Sequence, residues 1–393
     1  MSPESTAALK PPARPIAFAA PLLGEEEFAA SDAVLRSGWI ASGPNVIALE
    51  NELSAYFGGR PTRVLTSETA ALEVALQLLG IGAGDEVLIG AQTFFSSGNM
   101  VEKVGARAVF VDVDLKSRNI DLADATRRLT PRTKAIIPTH YAGLACDMDA
   151  LYAFAKQHKL RVIEDAALAV GSSWRGKAIG SFGDIALFSF HPNKNITTIE
   201  GGALVCNDVA DAKRVEVLRF HGISRLPDQT RDVDFPGGKF NLPDVNAAIG
   251  RAQLKKLDRF SAHRRQLAHR YLSNLREVLS DDLLPHAGHA GDEAGHSWNL
   301  FAIRLPLDRM TFTRPQVMDA MRVRQVATSV SYESPHLTSL FRKQGWKAGD
   351  LPNTELIADT TLTLPLHAGL TESDVDYVCA ALTDVLNKEG GLQ

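Results

Sequence analysis

One lysine occupies a position in the sequence where its amine could do covalent chemistry. Residues 185–190 form a short apolar run that predicts a buried strand, and residues 203–206 predict a second one. Lys194 lies between them, in a segment of Asn, Thr and Gly. Most lysines are solvated surface residues, but a lysine held between two buried strands is partly desolvated. Because desolvation favours the neutral amine, it lowers the pKa of the lysine and makes it a nucleophile toward a carbonyl.

Two adjacent carboxylates mark the end of another predicted strand. The strand predicted for residues 161–164 ends in Glu164, and Asp165 follows it directly. A carboxylate buried at a strand end needs a cationic partner, because an unpaired buried charge is costly. The sequence therefore predicts a cation beside Asp165.

A short polar turn links a strand predicted for residues 64–66 to a helix that runs to about residue 79. The turn contains Ser67, Glu68 and Thr69. The free N–H groups at a helix N-terminus and the helix dipole attract an anion such as a phosphate. Ser and Thr are also ordinary helix N-caps, so the turn alone leaves both interpretations open.

The segment around the lysine resembles a known family. Residues 189–202 follow the pattern S-F-H-x-x-K-N-x-T-T-x-E-G-G, which is similar to the Schiff-base segment of the DegT-type sugar aminotransferases. These are pyridoxal 5'-phosphate (PLP) enzymes of fold type I. The resemblance implies two catalytic residues: Lys194, which binds the cofactor and carries a proton, and Asp165, which pairs with the pyridinium nitrogen. A protonated ring accepts electrons from a carbanion.

The resemblance also implies further cofactor contacts. They are Ser67, Glu68, Thr69, Phe94, Ser189 and, from the partner subunit, Asn241. Phe94 would stack on the ring. Many family members have Gly in place of Glu68; since a carboxylate would repel a phosphate, we expect its side chain to point away and only its N–H to bind. Asn241, which precedes Leu-Pro-Asp, would equally suit a helix cap.

One position departs from the family pattern. The family has E-D-A-A, then His or Gln, then A, whereas this chain has Leu168 at the polar position. Leucine cannot donate a hydrogen bond near the 3-oxygen of the ring. The sequence therefore leaves open how the charge on this oxygen is stabilised. The substrate contacts that the resemblance implies are Trp39, His140, His191, Tyr332 and His336. His140 equally suits a hydrogen-bonded structural histidine, and the loop of Trp39 suits a plain connection.

Strands and helices alternate through the first half of the chain and predict how these residues are positioned. Repeated βαβ units form a mostly parallel sheet that is covered on both faces. Ligands bind at the carboxyl ends of such strands, where Ser67, Phe94, His140, Asp165 and Lys194 are all predicted to lie. The predicted fold class is α/β: a fold-type I large domain with a seven-stranded-type sheet between helices, and a smaller C-terminal α+β domain.

The domain boundaries follow from composition and motif positions. Residues 1–15, rich in proline, predict a flexible arm; residues 16–264 the large PLP-binding domain; and residues 265–393 the small domain. Within these, residues 221–238 predict a long irregular loop. A single helix is expected to open within residues 239–250 and run to about residue 275.

Composition excludes several classes of function. The 393 residues are 45% hydrophobic and 22% charged, with a net charge of -4 that offers no basic field for nucleic acid. Cys146, Cys206 and Cys379 form neither a metal-ligand pattern nor a disulfide framework, which suits a reducing cytosol. No apolar run reaches the length of a membrane span, and no signal peptide is recognisable. We therefore expect a cytoplasmic protein with no metal, nucleic-acid or membrane partner.

The resemblance implies a PLP-dependent aminotransferase that moves an amino group from L-glutamate to a keto group of a nucleotide-linked sugar. The similarity is greatest to the UDP-4-amino-4-deoxy-L-arabinose branch, and it implies a homodimer with shared active sites. Two alternatives stay open. One is the same transamination on a non-sugar ketone or amine; the other is a non-catalytic, DegT-like regulatory protein, against which the presence of both Lys194 and Asp165 argues.

Overall fold

The computed structural model describes residues 11–389. Its strands are β1 Thr62–Leu65, β2 Glu86–Gly90, β3 Arg107–Val111, β4 Thr133–Ile137, β5 Arg161–Asp165, β6 Ser173–Trp174, β7 Lys177–Ala178, β8 Ile185–Ser189, β9 Gly202–Val205, β10 Ile223–Arg225, β11 Arg231–Val233, β12 Phe301–Arg304 and β13 Thr361–Leu364. Its α-helices are α1 Glu25–Ser37, α2 Pro44–Tyr56, α3 Glu68–Leu78, α4 Phe95–Lys103, α5 Leu122–Arg128, α6 Met148–His158, α7 Val209–Leu218, α8 Asp244–Leu254, α9 Leu257–Leu275, α10 Arg314–Val323, α11 Ser339–Arg342, α12 Pro352–Thr360 and α13 Glu372–Asp384.

Seven strands form the central sheet, in the order β1-β9-β8-β5-β4-β2-β3. The pairs from β8 to β3 are parallel, whereas β9 runs antiparallel to both of its neighbours, β8 and β1. The expected mostly parallel α/β sheet is therefore confirmed. The antiparallel strand follows from the chain itself, because the lysine segment turns directly from β8 into β9.

Helices cover both faces of this sheet. Leu53 of α2 and Leu151 of α6 belong to the hydrophobic core on one face, while Leu72 of α3 and Val101 of α4 belong to the core on the other. Residues along a strand alternate between the two cores; Leu88 of β2 joins the first and its neighbours join the second. Strands buried on both faces read as continuous apolar runs, which is why the sequence indicated them well.

The C-terminal part of the chain packs around a separate core. The antiparallel pair β12 and β13 lies against α9 and α13, with Tyr271 stacked on Phe301 at a ring distance of 4.6 Å. Ile16 joins this core and pairs with Val326, so the start of the described chain contacts its C-terminal part. The predicted boundary at residue 265 falls inside α9. The division into two domains stays a prediction.

Two local predictions are wrong. Residues 221–238 are not a continuous irregular loop, because β10 and β11 pair as a hairpin. Its turn is held by Asp228, which accepts hydrogen bonds from the N–H and the hydroxyl of Thr230. The helix expected to reach residue 275 without interruption is two helices, since α8 ends at Leu254 and α9 begins at Leu257.

Candidate active site

A cavity of about 260 Å³ opens where β4, β5 and β8 end, beside the N-termini of α3 and α4. We call this cavity the cleft. Most of the residues predicted for the site line it: Ser67, Glu68, Thr69, Phe94, Asp165, Ser189, His191, Lys194 and Tyr332. Parallel strands present their carboxyl ends at one edge of a sheet, which explains why residues far apart in sequence meet here.

Asp165 is held in the cleft by a set of donors. Its Oδ2 accepts hydrogen bonds from the hydroxyls of Thr93 at 3.0 Å and Thr139 at 3.2 Å, with the Ser97 hydroxyl at 3.4 Å. Its Oδ1 accepts from the N–H of Ala167 at 3.1 Å. These donors fix the orientation of a carboxylate that is only 6% exposed. Sequence reasoning missed these three hydroxyl residues.

Lys194 stands opposite in a loop that is itself well anchored. Its N–H donates to the carbonyl of His191 at 2.9 Å, and Asn195 donates to the carbonyls of Val170 and Ser297 at 3.2 Å each. Desolvation lowers the pKa of Lys194, against the opposing effect of nearby acidic side chains. Among residues 11–389, no acidic group forms an ion pair with the Lys194 amine. Burial therefore shifts the Lys194 amine toward its neutral, nucleophilic form.

The turn before α3 combines a cap with a close backbone approach. The Ser67 hydroxyl accepts from the N–H of Ala70 at 3.0 Å and can still donate its own hydrogen. A Cβ placed on Gly202 would lie 2.4 Å from the backbone nitrogen of Glu68, so only glycine lets β9 pack against this turn. The N-terminus of α3 thus opens into the cleft with Thr69 in its wall. This geometry suits an anion.

The Glu68 side chain does not point away, and that expectation is wrong. Glu68 is only 7% exposed and lines the cleft, and its Oε1 has no hydrogen-bond partner among the described residues. Burial, and then the charge of Asp165, raise the pKa of Glu68 to about 8. The physical reason is that β9 packs over the turn and excludes water from it.

Aromatic and apolar side chains complete the wall. Phe94 is 57% exposed and its ring meets the ring of Tyr332 edge-on, with centroids 6.0 Å apart. Leu168 lines the cleft at the position where the resembled family has a polar residue, and it packs in a small core with Tyr141. The wall near Leu168 is accordingly apolar.

Two of the predicted substrate contacts are structural histidines behind the wall. His140 is fully buried; its Nε2 lies 3.2 Å from Glu164, and its Nδ1 accepts from the N–H of Cys146. His336 is also fully buried and lies 3.0 Å from Glu355. Neither lines the cleft within the described chain.

Trp39 and Asn241 also lie outside the cleft of their own chain. The indole of Trp39 is 63% exposed and donates to the carbonyl of Ser42. The Asn241 amide donates to the Ser42 hydroxyl at 2.6 Å. Asn241 does not cap α8, because the N-cap position belongs to Pro243.

The cleft fits PLP on three observations. Lys194 supplies a primary amine for the aldehyde, and Asp165 supplies an oriented carboxylate for the ring nitrogen. The N-terminus of α3, against which Gly202 packs closely, lies at the cleft and suits an anion such as a phosphate. An amine, a carboxylate and an anion site in one cleft suit carbonyl–amine chemistry.

None of the helices within residues 11–389 combines the length and the apolar composition needed to cross a bilayer. Over the same residues, no group of three or more His, Cys, Asp or Glu side chains is arranged to hold a metal ion.

Comparison with known proteins agrees with the geometry. The model of the DegT/DnrJ/EryC1/StrS aminotransferase family matches residues 21–383. The chain is 37% identical over 379 residues to the spore coat polysaccharide biosynthesis protein SpsC of Bacillus subtilis (strain 168), covering 94% of this chain and 96% of SpsC.

Solved structures are similar over nearly the whole chain. Spr1654 of Streptococcus pneumoniae, known in PLP and PMP forms, has a TM-score of 0.87 and 29% identity, covering 95% of this chain and 99% of that one. Helicobacter pylori PseC, an aminotransferase of pseudoaminic acid biosynthesis, has a TM-score of 0.86 and 25% identity, covering 95% and 100%. The chain belongs to the DegT/DnrJ/EryC1/StrS family and is a PLP-dependent aminotransferase.

Proposed function

We propose that this enzyme transfers an amino group from L-glutamate to a keto group of a nucleotide-linked sugar. The observation that carries the proposal is the meeting of Lys194 and Asp165 in one cleft. The relatives support a sugar acceptor: SpsC is named for polysaccharide biosynthesis and PseC for pseudoaminic acid biosynthesis. Within this class, the resemblance of the motifs favours a UDP-linked 4-keto-pentopyranose.

The catalytic roles follow from the two side chains. When bound, PLP supplies an electron sink that stabilises a carbanion. Lys194 holds the cofactor and then, as a neutral amine, moves a proton at the substrate carbon; its lowered pKa supports this role. Asp165, oriented by Thr93 and Thr139, keeps the ring nitrogen protonated. Phe94 stacks on the ring.

The cofactor phosphate binds at the N-terminus of α3. The residues that hold it are Ser67, Thr69, the backbone N–H of Glu68, Ser189 and Asn241 of the partner subunit. The free N–H groups of the first helical turn and the helix dipole both favour the anion. Because Asn241 lies outside the cleft of its own chain, a contact with a phosphate requires a second subunit.

The enzyme acts as a homodimer with shared sites. Large apolar side chains with more than half of their area exposed occur close together in sequence on and between α1 and α2: Phe28, Leu35, Trp39, Ile40 and Ile47. Such exposed apolar side chains suit a protein interface. Trp39, and with it His191 and Tyr332 of the cleft, then contact the substrate.

The direct test is a screen of keto-sugar nucleotides with L-glutamate, in which 2-oxoglutarate formation is measured. Turnover of a UDP-linked 4-keto-pentopyranose would support the specific acceptor. Turnover limited to simple ketones or amines would favour the alternative, transamination of a non-sugar substrate. The apolar wall of the cleft at Leu168 is the observation that supports this alternative. The absence of turnover with every acceptor, in protein loaded with PLP, would contradict the proposed reaction.

We place this reaction in the cytoplasm. Cys146, Cys206 and Cys379 are all unpaired and buried, as is usual for thiols kept in a reducing compartment. Cell fractionation with a cytoplasmic marker enzyme tests this, and recovery outside that fraction would contradict it.

A further inference from the structure

The cleft contains an acidic side chain that the proposed reaction does not use. Glu68 is the first residue of α3 and lines the cleft at the predicted phosphate site. It is more than nine-tenths buried, and its Oε1 has no hydrogen-bond partner among the described residues. Oε1 is closed off from solvent, whereas Oε2 is not and has no partner among the described residues either. A buried polar group without a partner costs free energy, so this second oxygen is suited to a ligand in the cleft.

The surroundings decide which ligand group this oxygen would meet. The N-terminus of α3 provides a positive potential and free N–H groups, which favour an anion. The titratable side chains that line the same cleft are Asp165, His191, Lys194, Glu200 and Tyr332. The charge of Asp165 opposes a second negative charge on Glu68, whereas a charged Lys194 would favour one. Burial and Asp165 outweigh Lys194, and neither Lys194 nor His191 forms an ion pair with Glu68 in the described chain. An ionised Glu68 would also repel a phosphate.

We propose that Glu68 stays uncharged in the cofactor-bound enzyme and donates its carboxylic hydrogen to an oxygen of the cofactor phosphate. The inference rests on the proposed position of the phosphate at α3. In this proposal the neutral carboxylic acid of Glu68 donates a hydrogen bond to the anion, whereas an ionised carboxylate at the same place would weaken phosphate binding.

The proposal predicts a pH dependence of cofactor affinity. Burial raises the pKa of Glu68 to about 8, so the acid is neutral at pH 7 and ionises as the pH rises above that value. Binding therefore retains its full strength at pH 7 and weakens at higher pH. In the limit where only the neutral acid binds, the dissociation constant rises about tenfold for each pH unit above the pKa.

The experiment measures binding of pyridoxine 5'-phosphate to cofactor-free protein from pH 7 to 9.5. This probe has an alcohol in place of the aldehyde, so Lys194 cannot bond to it. Its phosphate is a dianion throughout this range, since the second pKa of a phosphate ester is about 6. Unphosphorylated pyridoxine is the matched ligand control.

Glu68→Gln is the matched protein variant, because its amide has almost the same shape and donates at every pH. We expect the wild-type dissociation constant to rise about 15-fold relative to that of E68Q between pH 8 and 9.5. The ratio of the two proteins removes the titration of the other cleft residues and of the ring. Parallel pH profiles would overturn the proposal, and so would the same difference with pyridoxine, which lacks the phosphate.

A second measurement needs only the wild type and decides the matter if E68Q does not fold. Binding that requires the neutral acid takes up about one proton near pH 9, where free Glu68 is ionised. Calorimetry in two buffers with different ionisation enthalpies measures this uptake. Both ligands take up a proton at the ring nitrogen beside Asp165, so the difference between them is the measurement. An uptake larger by about one proton with pyridoxine 5'-phosphate than with pyridoxine supports the proposal, and equal uptake with the two ligands overturns it.

Thr69→Val separates this inference from the position of the phosphate. If T69V weakens binding of pyridoxine 5'-phosphate while wild type and E68Q keep parallel pH profiles, the phosphate lies at α3 and the role of Glu68 is wrong. If T69V binds this probe like the wild type and no pH difference is found, the position of the phosphate fails as well.

Discussion

The imidazole Nε2 of His140 lies 3.2 Å from Oε2 of Glu164, and neither side chain is exposed to solvent. Both ring nitrogens of His140 and both carboxyl oxygens of Glu164 have a hydrogen-bond partner. The other ring nitrogen accepts from the N–H of Cys146, and the Tyr152 hydroxyl donates to the other oxygen of Glu164 at 2.6 Å. His140 and Glu164 directly adjoin Thr139 and Asp165, so the pair fastens the ends of β4 and β5 behind the site.

His140→Ala should therefore destabilise the fold, because it leaves a buried carboxylate without its partner. We expect a loss of about 3 kcal/mol in the free energy of unfolding, measured by urea denaturation. Tyr152→Phe is the matched control, since it removes a single hydrogen bond from the same carboxylate and should cost about 1 kcal/mol. A loss for H140A no larger than that for Y152F would contradict the role of the pair.

Lys194 should carry the cofactor covalently. The purified protein should be yellow, and borohydride reduction should fix the cofactor on Lys194, as found by peptide mapping. Lys194→Ala should lose turnover while still binding cofactor through ring and phosphate contacts. Lys156→Ala, on the surface of α6, is the control and should label normally. A label on any other lysine would reject the assignment.

Asp165→Asn should keep the fold and lose the charge that protonates the ring nitrogen. We expect a fall in kcat of roughly 100-fold or more, equivalent to about 3 kcal/mol in the transition state. Thr139→Val, which removes one orienting hydrogen bond, should cost about 1 kcal/mol, or roughly fivefold. A near-normal kcat for D165N with an unchanged melting temperature would show that another group does this work.

Mixed dimers test the shared site. Asn241→Ala should weaken cofactor binding and lower the free energy of unfolding by only about 1 kcal/mol, because Asn241 does not cap α8 and its amide donates one hydrogen bond to the Ser42 hydroxyl. A dimer of one inactive Lys194→Ala chain and one inactive Asn241 variant chain has one site with both lesions and one with neither. Half of its sites should then regain activity. Verified heterodimers with no regain, or a fully active monomer, would reject the shared site.

The sequence predicted the strands of the site well, because β5 and β8 are apolar runs bounded by polar residues. It did not predict which side chains Asp165 would meet. Thr93 and Thr139 reach Asp165 only because β5 lies beside β4, and β4 beside β2, which is set by packing between distant segments.

His140 has the structural role that the sequence left open beside a substrate contact, and alternation along a strand could have decided between the two. Neighbouring residues of a strand point to opposite sides. Thr139 and Asp165 line the cleft, so His140 and Glu164, their direct neighbours, face the opposite side. The alternation of side chains along a strand could not predict the burial of Glu68, because that burial depends on β9 packing across the turn at Gly202.

The antiparallel strand β9 has a consequence for how cofactor and fold stabilise each other. It lies between β8, which leads to Lys194, and β1, which leads to the turn before α3. A cofactor bound at both places connects three adjacent strands, and a ligand that binds only the folded state stabilises it by mass action. Amide hydrogens of β9 and the lysine loop should therefore exchange more slowly in loaded than in cofactor-free protein, while those of β3, at the far edge of the sheet, stay unchanged. Loss of cofactor would then open this edge first, so that the occupancy of the site sets the lifetime of the enzyme as well as its activity.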